Sequence, residues 1–122
     1  MTPSNFYSPN DEFYYPKHHK RKQPERELQN AIIQLLNAKG HFVFRTPNRG
    51  FQMPRSGAWI PSALPGLPDI IGVQKDTGRF IGIEVKIKGG KPSEAQNAFL
   101  ETIRAKNGLA VVAYSLSDIE FI

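Results

Sequence analysis

Apolar and polar positions along the chain recur with two different periods. From Pro24 to Lys39, Leu28, Ala31, Ile32, Leu35 and Leu36 fall at i, i+3 and i+4 intervals, which predicts an amphipathic helix, and Gly40 supplies its C-terminal stop. His41 to Arg45 (HFVFR) reads as a short strand. The stretch TPNRGFQMPRSGAWIPSALPG that follows is rich in proline and glycine and shows neither period, so it is expected to be an irregular loop, longer than most in a small domain. Asp69–Gln74 and Arg79–Lys88 read as two strands around the turn residues Lys75, Asp76, Thr77 and Gly78, an antiparallel hairpin. After Gly89 and Gly90, Ser93 is placed to cap a helix whose third residue, Gln96, completes a Ser-x-x-Gln capping box, and Asn107 with Gly108 ends that helix. A last strand, LAVVAYS, starts at Leu109. Helix, three strands, helix, strand is the order of an α/β fold with a mixed sheet flanked by helices.

The period of two carries the chemistry. In IGIEVKIK, Ile83, Val85 and Ile87 point one way and Glu84, Lys86 and Lys88 the other. Closure of the hairpin through a short turn sets Asp69 opposite Glu84 or Val85. Taken singly, a Glu-x-Lys on a strand is most often a wet face and a Pro-Asp pair most often a turn. Together they put two carboxylates beside an ammonium. Carboxylates about 4 Å apart repel by roughly 4 kcal/mol at an effective dielectric near 20, so something must offset the cost. A hard divalent cation such as Mg²⁺, with Mn²⁺ as a substitute, accepts one or two carboxylates and keeps several waters for phosphate exchange. Asp69 and Glu84 are then the expected ligands, the backbone carbonyl of Val85 a candidate third, and Lys86 the group that orients a water or shares the charge of the transition state.

Composition narrows the partner. Sixteen Lys and Arg against 11 Asp and Glu give 122 residues a net charge of +5, and the pI is near 9.6, which favours a polyanion. Cysteine is absent, so disulfides and thiolate-bound zinc are excluded, and His18, His19 and His41 are too few and too scattered for a histidine metal cluster. No run approaches the ~18 apolar residues of a membrane span, and the start has no signal-peptide pattern, so a soluble protein of a reducing, intracellular compartment is expected. Residues 1–24 are expected to be a flexible tail. There Lys17, Lys20, Arg21 and Lys22 against Asp11 and Glu12 give +2, a charge that suits either a solvated extension or an arm that grasps phosphates.

Asp69, Glu84 and Lys86 resemble the Pro-Asp, then Glu-x-Lys signature of the PD-(D/E)xK nuclease superfamily. Within it, Glu25-x-x-x-Gln29, Gly66-Leu67-Pro68-Asp69, Glu84-Val85-Lys86 and Pro92-Ser93-Glu94-Ala95-Gln96 are similar to the motifs of the VRR-NUC family, including its small stand-alone versions in phages. The resemblance runs from about residue 25 to 118, so the nuclease-like domain is placed at 25–122. It implies a restriction-endonuclease-like αβββαβ core, metal-dependent phosphodiester cleavage, and structure-selective endonuclease or Holliday-junction resolvase activity; a phage-encoded protein would work in the host cytoplasm. It also implies that Glu25 completes the metal site and that Gln96 bonds the site carboxylate or water. Periodicity agrees for Glu25, which lies at the edge of the face that carries Leu28 and Ile32, although an acid in the first helical turn is also favoured by the helix dipole. For Gln96 the capping box alone is a sufficient structural reason.

Arg45, Asn48, Arg49 and Arg55, in or beside the long loop, are candidate phosphate contacts, as are Lys88, Lys91, Lys20, Arg21 and Lys22. Phe51 and Trp59 are expected to pack within the loop, with stacking on unpaired bases or wedging into a junction as the alternative. No helix carries the cluster of Arg, Asn and Gln that base-specific readout requires. The leading expectation is a Mg²⁺-dependent endonuclease for branched or structured DNA, acting as a homodimer where paired nicks are needed. The competing one is a nucleic-acid-binding module of the same fold without turnover. Phosphate contacts do not separate DNA from RNA.

Overall fold

A computed structural model describes residues 24–47, 51–60 and 64–122. The expected tail, with Lys20, Arg21 and Lys22, therefore lies outside the described residues except for Pro24, and so do Asn48, Arg49 and the side chain of Phe51. Helix α1 spans Pro24–Ala38, one residue short of the expected end. Its proline stands at the start, where a missing N–H costs nothing. Strand β1 follows at Phe42–Arg45, then β2 at Phe51–Gln52, β3 at Trp59–Ile60, β4 at Ile70–Val73 and β5 at Phe80–Val85. Helix α2 covers Glu94–Ala105, β6 covers Leu109–Ala113, and a 3₁₀ turn over Leu116–Ile119 closes the chain. Among the described residues no helix is long and apolar enough to cross a membrane.

Four strands form one mixed sheet in the order β1-β4-β5-β6. β1, β4 and β5 are antiparallel neighbours, and β6, reached through α2, runs parallel to β5. Ile70 pairs with Ile83, so the next step along the register sets Asp69 against Glu84. The turn that fixes this register places Asp76 and Gly78 at positive φ, 72° and 71°, a conformation that aspartate tolerates and glycine prefers.

Both faces of the sheet are packed, on different strands. Val43, Ile70, Ile81, Ile83, Val85 and Ala113 join Ile32 and Leu36 of α1 and Ile119 in one buried cluster. On the opposite face Ala110 packs with Leu100 and Ile103 of α2. α2 lies close because Gly82 has no side chain, and a Cβ there would sit 2.4 Å from Ile103 Cδ1. Since α2 packs on β5 and β6, no described helix covers β1, β4 and the first residue of β5 on that face. Phe42, Phe44, Val73 and Phe80 are 64, 43, 41 and 40% exposed.

Two expectations change. The strand predicted to reach Lys88 ends at Val85. Lys86 N still donates to Ala113 O at 3.0 Å, but Gly90 N then turns back to Ile87 O with Gly89 at φ +89°, and Ile87 is 46% exposed instead of joining Ile83 and Val85 inside. The loop predicted to be irregular contains a hairpin, β2 with β3. Each strand has only two residues, too few for alternation to register in the sequence, and Gly57 at φ +75° closes the turn.

Gly66 docks the approach to β4 against α2. It has φ +83°, and a Cβ there would fall 2.3 Å from Ala95 O, in the first turn of the helix. A Gly66→Ala protein should lose roughly 3 kcal/mol, from left-handed strain plus overpacking. Urea unfolding midpoints at a constant m-value measure this; an unchanged midpoint would show that the two segments do not need this approach.

Candidate functional site

β4 begins one residue after Asp69, and beyond that end the ladder is finished by a side chain. Asp69 Oδ2 accepts the N–H of Val85 at 2.8 Å. Lys86 N faces β6, where it meets Ala113 O. By strand alternation both polar groups of Val85 therefore face the β4 side, which is why its carbonyl shares the edge with Asp69. The Pro68–Asp69 backbone is pinned from β1: Thr46 N donates to Asp69 O at 2.9 Å, and Thr46 Oγ1 donates to Pro68 O at 2.7 Å. Thr46 is buried. Nothing in the sequence distinguished it from any loop threonine, because its role depends on two backbone carbonyls more than 20 residues away.

Glu84 lies beside Asp69 on the α2 face and is only 1% exposed. Its Oε2 accepts from Gln96 Nε2 at 2.8 Å and sits 3.3 Å from Lys86 Nζ. The Gln96 amide oxygen accepts the N–H of Ser93 at 2.7 Å, and Ser93 Oγ accepts Gln96 N at 3.1 Å. Both readings of Gln96 thus hold at once: one end of its amide caps α2 and the other holds the carboxylate. Among the described residues, Glu84 Oε1 is the buried side-chain polar atom without a hydrogen-bond partner. Burial, and after it the charge of Asp69, pushes the Glu84 carboxyl up to about 7 despite the opposing Lys86.

The other expected site residues have positions and partners of their own. Glu25 is half-buried at the start of α1, which packs on the Ile83 and Val85 face and not on that of Glu84. No group of three or more His, Cys, Asp and Glu able to hold a metal occurs among the described residues. Gln29 Oε1 accepts Arg45 Nε at 2.9 Å, and Asn30 Oδ1 accepts Arg45 Nη2. Arg45 is therefore a tether between β1 and α1 and not the free fork expected of it. Burial and then Arg26 lower its pKa, while Asp69 opposes them. His41 Nδ1 is occupied by Lys75 N at 2.9 Å. Arg55, Lys88 and Lys91 are exposed, and Tyr114 Oη steadies the turn between the two lysines by donating to Gly90 O at 2.9 Å. Trp59, expected to pack, is 62% exposed.

Two adjacent carboxylates, one with a buried unpartnered oxygen, fit a hard cation better than they fit each other. Such an ion needs only one or two protein carboxylates and completes its shell with water and phosphate.

The VRR-NUC domain family matches residues 22–116 of this chain. A solved VRR-NUC domain is 19% identical and aligns over 82% of this chain and 94% of its own with a TM-score of 0.56, a likeness of fold. A second, a VRR-NUC domain protein, is 18% identical over 81% of this chain and 84% of its own, with a TM-score of 0.49. Comparison with curated proteins finds no match.

A raised carboxyl sets a direction for stability against pH. Below the ordinary carboxylate value of 4.5, Glu84 is neutral folded or unfolded; between 4.5 and about 7 the unfolded chain ionises first. The contribution is therefore full below 4.5 and is lost as pH rises to about 7, by roughly 3 kcal/mol. Denaturant unfolding with EDTA present should show this decline, and Glu84→Gln should flatten it. An equal slope in both proteins would place the titration elsewhere.

Proposed function

The chain belongs to the VRR-NUC family, and from that premise we propose that it is a Mg²⁺- or Mn²⁺-dependent endonuclease that hydrolyses phosphodiester bonds in branched or otherwise structured DNA, Holliday junctions included. The observation that carries the proposal is the buried Glu84 carboxylate, held by Gln96 and Lys86 with one oxygen unpartnered, next to Asp69. Asp69 and Glu84, with the Val85 carbonyl on the same edge, would hold the cation. When bound, it would supply charge neutralisation at the scissile phosphate and a lowered pKa for an attacking water.

The chain's own residues do the rest. Asp69 is kept from rotating away by Val85 N, and Gln96 fixes which Glu84 oxygen is engaged and which is left open. Lys86, one-fifth exposed, keeps its ammonium at the border between the buried acids and solvent. From there it can orient the attacking water or share the negative charge of the pentavalent phosphate. Glu25 stands one turn before Gln29, which holds Arg45, a residue that feels the charge of Asp69, and it would be a further ligand from that end of α1. Exposed Arg55, Lys88 and Lys91 supply phosphate contacts that position the strand without reading sequence.

Paired nicks need two copies of a site that cuts one strand. The open strip of Phe42, Phe44, Val73 and Phe80 supports a symmetric homodimer: on a chain of net charge +5, an uncharged patch can meet its own copy without like-charge repulsion. Light scattering at micromolar concentration should give a dimer that Phe42→Asp with Phe44→Asp converts to monomer. A monomeric parent protein would remove the pairing.

The decisive assay incubates purified protein with labelled four-way junctions, flaps and duplexes, with and without Mg²⁺. Cleavage should require the metal, and Asp69→Asn, Glu84→Gln and Lys86→Met should each lower its rate by roughly 10²–10³-fold while DNA binding persists. Mg²⁺ should also raise the melting temperature of the parent protein and not of Glu84→Gln. Binding without cleavage in any metal would instead support a non-catalytic module of the same fold.

A further inference from the structure

The segment between β1 and Asp69 carries a side chain that the carboxylate site does not use. Gln52 pairs with Trp59 across the hairpin. The turn between them is closed by Met53 N to Ala58 O at 2.8 Å and Gly57 N to Met53 O at 3.0 Å, and Gln52 Nε2 donates to Gly57 O at 3.0 Å. Trp59 therefore projects from a hydrogen-bonded frame, yet it is 62% exposed, beside Ile60 at 39% and Met53 at 38%. A folded chain that leaves its single tryptophan in water on a braced hairpin presents a flat apolar ring to a ligand.

Two further observations indicate what the ligand is. The segment is rooted at the candidate active site, because Thr46, where it leaves β1, bonds the backbone of Pro68 and Asp69, where it returns. The two ends of the segment that carries the hairpin therefore meet beside Asp69. The sequence from Thr46 to Pro68 also contains no Asp or Glu, and Arg55 is exposed in the turn. An acid-free, arginine-bearing segment attracts a polyanion and repels a second copy of itself. In a paired duplex the π faces are covered by neighbouring bases, so an indole can stack only where bases are unpaired.

We propose that Trp59 is a stacking platform for an unpaired base of the DNA strand that the protein binds, so that the hairpin selects DNA with single-stranded or branch-point nucleotides. The proposal rests on the nuclease reading above and adds the source of its substrate preference. It accounts for an exposed aromatic on a rigid frame with no base-reading helix nearby: stacking tolerates any base and requires only that the base be free.

Because the protein has one tryptophan, its emission reports on Trp59 alone. Full-length protein in EDTA is titrated with a 5′-flap oligonucleotide and with the fully paired duplex, and binding is followed by anisotropy of a label on the DNA. The flap should quench or shift tryptophan emission in step with binding, and the duplex should not. Trp59→Ala should lower the ratio of flap to duplex affinity by roughly 5- to 100-fold, and Trp59→Phe should restore most of it. Flap binding with unchanged emission, or an unchanged affinity ratio in Trp59→Ala, overturns this proposal and leaves the nuclease reading intact. Failure to bind any DNA at low salt overturns both. Emission that instead changes with protein concentration alone, together with loss of self-association in Trp59→Ala, assigns the ring to a subunit contact and overturns the stacking role.

Discussion

A carboxylate that accepts a backbone N–H in place of a missing strand residue joins the two halves of this site. β4 begins too late to pair with Val85, and Asp69 Oδ2 takes the bond that the preceding residue of a longer strand would have made. That substitution fixes the Asp69 carboxylate in the sheet edge instead of leaving it in solvent, and it does so at the register position of Glu84. The cost is concentrated in Glu84, which loses its water and gains a like-charged neighbour. Much of the surrounding structure serves to hold that arrangement: Thr46 beneath the Pro68–Asp69 peptide, Gly66 under the first turn of α2, Gln96 and Lys86 on one carboxylate oxygen.

The two helices do different work. α1 buries aliphatic surface against the Ile81, Ile83 and Val85 face and is tied to β1 through Arg45, so it stabilises the sheet from the side away from Glu84. α2 packs across β5 and β6 and delivers its first turn to the acids. A helix start suits this place, since its amide N–H groups favour nearby negative charge. The close seat permitted by Gly82 brings Gln96 within bonding range of Glu84. Stability and chemistry therefore sit on opposite faces of one strand, separated by the alternation of its side chains.

The same alternation explains what could be read in advance. The periodic elements α1 and β5, the capped helix α2, and a place for Asp69 opposite Glu84 or Val85 followed from residue spacing and turn chemistry. The capping box of Ser93 and Gln96 was legible as well, while the bond from the same amide to a site carboxylate was implied only by the family resemblance. Alternation says which residues share a face; it does not say how far a covering helix extends, so the exposure of Phe42, Phe44 and Phe80 could not be anticipated. Two-residue strands are shorter than any detectable period, which hid β2 and β3 and with them the exposure of Trp59. Arg45 was misread because a guanidinium beside a basic loop looks like a phosphate ligand until its partners on a helix 15 residues earlier are known.

Gln96 also links assembly to reactivity. The amide that closes the N-terminus of α2 is the one that holds Glu84, and β6, which follows α2 in the chain, supplies the carbonyl that receives Lys86 N. A nascent polypeptide that has emerged only as far as Lys86 already contains both acids and the lysine, yet it lacks the Gln96 amide that holds Glu84 and the Ala113 carbonyl that receives Lys86 N. The geometry around Glu84 thus forms only once α2 and β6 are in place.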